Sequence, residues 1–98
     1  MKECRSLKTQ FRKITRKQKI CEYCRVKFSD NNTSSVDHIF PLVRYGKAAN
    51  RLENFIKVCR HCNSEKNGYQ PTEWLKKKNY LTPALEDKIH NAFLAIIT

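Results

Sequence analysis

Leu7, Phe11 and Ile14 are spaced i, i+4, i+7 near the start of the chain, which places them on one face of a helix. This predicts a helix from about Lys2 to Gln18, with Lys8, Arg12, Lys13, Arg16 and Lys17 mostly elsewhere around it. The period then shortens. Ser34 to Ile39 reads as a strand, with Val36, His38 and Phe40 on one side by alternation and Pro41 as its end. Asn54 to Val58 reads as a second strand. The pair forms a hairpin whose connection, residues 42–53 with Gly46 inside it, is far longer than a tight turn needs. Loops of that length are uncommon and often functional. Asp30-Asn31-Asn32, ahead of the first strand, is a turn signal.

Helical signals return in the last third. A short helix is expected from Asn63 to about Asn67, with Gly68 as the left-handed residue that closes it. A second spans Thr72 to Lys78. A third begins at Thr82-Pro83, with Thr as the cap, Pro at the first helical position, and Glu86 and Asp87 in or near the first turn. Its apolar stripe is Leu85, Ile89, Phe93 and Ile96, with Leu94 and Ile97 beside it. That stripe is expected to pack on the first helix; contact of its apolar end with a partner chain is the alternative. No repeat, linker or low-complexity tract interrupts the chain. The expectation is an α+β fold in a single domain over residues 1–98: a basic N-terminal helix (1–19), a central core (20–68) and C-terminal helices (69–98).

Charge adds a partner. The chain has 98 residues with 20 Lys and Arg against 9 Asp and Glu, a formal charge of +11, and this balance points to a polyanion such as nucleic acid. Between Lys2 and Lys19 eight residues are basic and Glu3 is the one acid, and Lys76-Lys77-Lys78 forms a second cluster. No apolar stretch is long enough to span a membrane, and no signal peptide opens the sequence. The expectation is a cytoplasmic protein with reduced thiols.

Those thiols carry the strongest signal. Cys21/Cys24 and Cys59/Cys62 are two Cys-x-x-Cys pairs, and each short turn can present two sulfurs to one tetrahedral zinc ion. In a chain this small a structural metal serves stability whatever the chemistry. Cys4 is left over; it is expected at a helix edge, without a role. His61 lies inside the second pair but is read as exposed, because four thiols already complete a tetrahedron. His90 is expected on the surface. Trp74 and Tyr80 could stack on bases, with core packing the commoner use.

Between and after the cysteines stand Asp37-His38-Ile39-x-Pro41, Gly46, Asn54 and Asn63-x-x-Lys66. With the cysteines, these residues resemble an HNH endonuclease of the ββα-metal (His-Me finger) fold in its zinc-stapled form, over Ile20 to Gly68. The flanking helices inherit nothing from the likeness. It implies hydrolysis of DNA phosphodiester bonds, by nicking or double-strand cleavage, with His38 as general base. It also implies Asp37 and Asn63 as ligands of a catalytic divalent metal, and Asn54 as the residue that pins the long loop. Many relatives have His where Asn63 stands. An oxygen-only pair favours a hard cation, Mg2+ or Mn2+. Asp37 and His38 are adjacent on a strand and point to opposite faces, so they take different tasks.

Lys66, Arg44, Lys47 and Arg51 are expected against nucleic acid near the site, and Arg12, Lys13, Arg16 and Lys17 along the first helix. Two other readings compete. One is a non-catalytic, zinc-stabilised nucleic-acid-binding module. The other is a nuclease subunit of a phage packaging or mobile-element assembly. One active site cuts one strand, so double-strand cleavage would need a homodimer or two visits.

Overall fold

The computed structural model describes residues 2–98, with side chains from Ser6 onward. The fold is mixed: a two-stranded antiparallel sheet flanked by helices. In chain order these are α1 (Lys2–Ile14), β1 (Ser34–His38), α2 (Leu42–Tyr45), β2 (Phe55–Cys59), α3 (Arg60–Lys66), α4 (Pro71–Lys78) and α5 (Pro83–Ile97). β1 and β2 pair in register from Ser34 opposite Cys59 to His38 opposite Phe55. Directly opposed residues share a face of the sheet. Val36, His38 and Phe55 therefore look one way, and Ser35, Asp37, Ile56 and Val58 the other.

Each face is covered by a different element. Phe11 of α1 packs edge-on against Phe55, with ring centroids 5.8 Å apart, and Val36, Leu7 and Leu52 complete that small cluster. On the opposite face α3 crosses both strands. There Ile56 and Val58 join Tyr23, Trp74, Leu75, Leu85 and Ala92 in the larger core, which also encloses Cys21, Cys59 and Cys62.

Several sequence expectations are corrected. Ile14 does not pack with Phe11; it is the last residue of the helix and is 71% exposed. Phe40 leaves the Val36 side and packs on Tyr45 and Phe93, since β1 stops at His38 and alternation stops with it. The long connection is helical: α2 is followed by two 3-10 turns, Gly46–Ala49 and Leu52–Asn54. Gly46 breaks α2 with φ +58°, a conformation that costs glycine little. α3 begins at Arg60, three residues earlier than expected, because Cys59 caps it: its Sγ accepts the Cys62 amide at 3.4 Å.

The residue that ends α3 is Asn67, with φ +46°, not Gly68. Asparagine tolerates positive φ better than most residues. α5 starts as expected, with Thr82 Oγ1 accepting the Leu85 amide at 3.2 Å. It packs on α4 and the two 3-10 turns instead of on α1. Phe93, Leu94 and Ile97 stay substantially exposed. Cys4 has its side chain outside the described part. Among the described residues no helix is long and apolar enough to cross a membrane.

Candidate active site and cysteine cluster

Four sulfurs converge where the first knuckle meets the β2–α3 junction. The Sγ atoms of Cys21, Cys24, Cys59 and Cys62 all lie within 4.8 Å of one another, and Cys24 and Cys59 are 3.8 Å apart. A zinc ion with Zn–S bonds of ~2.3 Å needs tetrahedral edges of about 3.8 Å, so the donor set fits that ion. The amides of Tyr23 and Cys24 point at Cys21 Sγ, at 3.3 and 3.4 Å. The Cys62 thiol donates to Cys21, the largest of the effects that hold Cys21 down to about 4, while Cys62 itself is pushed up. Arg25, at φ +68°, closes the first knuckle, and the Glu22 amide ties it to Lys57 O of β2 at 3.1 Å. His61 stays outside, paired with Glu65 at 2.8 Å.

Asp37 is 5% exposed and faces α3. Its Oδ2 accepts the Tyr23 hydroxyl at 2.8 Å and pairs with Lys66 Nζ at 3.1 Å. Among the described residues Oδ1 takes no hydrogen bond. Burial raises the Asp37 pKa, and Lys66 and Tyr23 counter it. Burial likewise lowers that of Lys66, countered by Asp37. Lys66 is completely buried, and its ammonium also donates to His38 O at 3.0 Å. The expectation of a phosphate-contacting Lys66 is thereby corrected: this side chain turns inward under β1, where Asp37 and His38 O hold its ammonium.

A buried ion pair broken on one side costs about 3–5 kcal/mol. Lys66→Met should lower stability on that scale in urea unfolding of the zinc-loaded protein. A change under 1 kcal/mol would show that the pair does not hold α3 to β1.

His38 lies on the other face. Its ring is edge-on to Phe55, centroids 5.1 Å apart, and its Nε2 lies 2.9 Å from Asn50 Oδ1. Burial lowers its pKa, the largest cause, so the ring is neutral near pH 7. Asn54 is wholly buried and pins the loop behind it. Its Oδ1 accepts the Phe40 amide at 2.9 Å, and its Nδ2 donates to Phe40 O at 3.0 Å and Ala49 O at 2.9 Å.

Asn63, in the middle of α3, donates from Nδ2 to Ser35 Oγ at 2.7 Å. It lines a cleft of about 370 Å³ together with Asp37, His38, Pro41, Leu42 and Val43. Three residues far apart in sequence or facing opposite ways thus open onto one space. Arg44 stands at its rim, with Nε donating to Gly68 O at 3.0 Å; Lys47 and Arg51 are exposed farther along the loop. Trp74 is buried against Tyr23 and Tyr80, so it is part of the core. His90 is exposed.

Sequence reasoning missed Tyr23, Asn50 and Ser35. Tyr23 had counted only as spacing between two cysteines. Nothing in the pattern marks Asn50, which meets His38 solely through the path of the loop.

The family model described as HNH endonuclease matches residues 21–68. Neither curated proteins nor solved structures give a significant match.

Proposed function

We propose that this chain, whose residues 21–68 match the HNH endonuclease family, is a metal-dependent endonuclease that hydrolyses DNA phosphodiester bonds. The observation that carries the reading is the shared cleft of Asp37, His38 and Asn63. His38 is the general base. Asn50 presents an oxygen to Nε2, so Nε2 carries the ring proton and Nδ1 is left to accept one from water. The edge of Phe55 and the Asn50 bond fix the ring, and the loop that supplies Asn50 is anchored by Asn54.

Asp37 and Asn63 are the residues that would hold a divalent cation, through Asp37 Oδ1 and the Asn63 amide oxygen; Nδ2 of Asn63 is already committed to Ser35. Two oxygen donors suit Mg2+ or Mn2+. When bound, such an ion neutralises charge on the phosphoryl oxygens. Lys66 already offsets the Asp37 charge, so affinity at this site is modest and a phosphate oxygen adds to it.

The four thiols hold a structural zinc, and these metal roles are separate. Supercoiled plasmid incubated with the zinc-loaded protein should be nicked on addition of magnesium and left intact without it. Binding with no cleavage under any divalent metal would instead identify a non-catalytic nucleic-acid-binding module.

A further inference from the structure

A second cleft, of about 420 Å³, opens beside the first. Lys8, Arg12 and Arg16 form one wall, and Ser34 and Ser35 of β1 the floor; Asn63 closes it from the α3 side. The sheet has only two strands, so β1 has an unpaired edge, and the cleft follows that edge between α1 and α3. Two features separate it from an ordinary solvated face. Lys8 and Arg12 stand one helical turn apart on α1 and Arg16 lies in the turn that follows it, and among the described residues none of the three makes an ion pair or a side-chain hydrogen bond. Lys57, the other cation there, is committed: its Nζ donates to Thr15 O at 2.9 Å.

The two clefts adjoin at Asn63. Both contain Asn63, and successive residues of β1 pass from one (Ser34, Ser35) into the other (Asp37, His38). Two residues of strand cover ~7 Å, about the reach of one nucleotide of backbone. We propose that this cleft binds a phosphate of the cleaved DNA strand next to the scissile one, through Lys8, Arg12 and Arg16. The assignment rests on the nuclease reading above but uses α1, which lies outside the matched segment. It divides the basic residues of that helix and of the turn after it. Arg12 and Arg16 line the cleft, whereas Lys13 and Lys17 do not.

The test compares two pairs of equal charge. Binding of a fluorescent DNA duplex is titrated over a range of salt, without added magnesium, for wild type, Arg12→Ala/Arg16→Ala and Lys13→Ala/Lys17→Ala. Each lost phosphate contact flattens log K against log salt by ~0.9. The cleft takes one phosphate, so the arginine pair should flatten the slope by about 0.9, and the lysine pair by clearly less. Once the cut position is mapped, a neutral methylphosphonate at the flanking phosphate should weaken wild-type binding and leave the arginine variant unaffected. Equal slopes for the two pairs, in a wild type that cleaves, overturn the cleft assignment alone. A wild type that binds but never cleaves with any divalent metal overturns the nuclease reading and the neighbouring-phosphate assignment with it.

Discussion

His38→Ala is expected to slow single-turnover DNA cleavage by about 10²–10⁴-fold, the usual cost of losing a general base, with zinc content and DNA affinity retained. The ring contributes to neither metal. It sits on the α1 face of β1 against Phe55, while Asp37 faces α3 and is held there by Tyr23 and Lys66. What disappears is the acceptor that Asn50 orients. Asn63→Ala should also lose activity, by another route, because one of the two oxygen donors proposed for the cation is gone. Raising magnesium or manganese should restore part of that loss, and none of the loss in His38→Ala. A metal titration of single-turnover rates for both variants decides the matter. Equal rescue of the two, or an active His38→Ala protein at ordinary metal concentration, would show that the base is misassigned.

Cys21→Ala, or treatment with a strong chelator, should leave the chain unfolded or close to it. Zinc binding to a structural thiolate site contributes an apparent ~10–16 kcal/mol, against a total stability of ~5–15 kcal/mol for an ordinary domain. The location matters as much as the size. Cys59 ends β2 and caps α3, Cys62 lies in the first turn of α3, and Cys21 and Cys24 anchor the segment that supplies Tyr23 to Asp37. Removing the staple releases α3, and with it Asn63 and Lys66. Far-ultraviolet circular dichroism on heating, with and without chelator, gives the measurement. Magnesium should not restore the transition after zinc is withdrawn. An unchanged melting curve for a zinc-free protein would remove the cysteine cluster from the account of stability.

Local rules determined much of this protein. The two strands, the capped start of α5, the paired thiols and the Asp37-His38 dipeptide all lie in short stretches where a few neighbours suffice. Alternation along β1 already separated Asp37 from His38. Tertiary structure decided the rest. Lys66 reads as a surface lysine three residues after Asn63, and it is buried because α3 crosses β1 and brings its ammonium to Asp37. Asn50 lies 12 positions from His38, and its contact depends on two 3-10 turns held by Asn54. α5 carries a stripe that would fit several surfaces, and it packs on those turns and α4 instead of on α1. The basic residues of α1 and the turn after it look uniform in sequence; only the free edge of β1 distinguishes Arg12 and Arg16 from Lys13 and Lys17. The physical reason is common to all four. Periodicity and capping are energies between residues a few positions apart, whereas burial and cleft geometry depend on which elements meet, and no single segment encodes that.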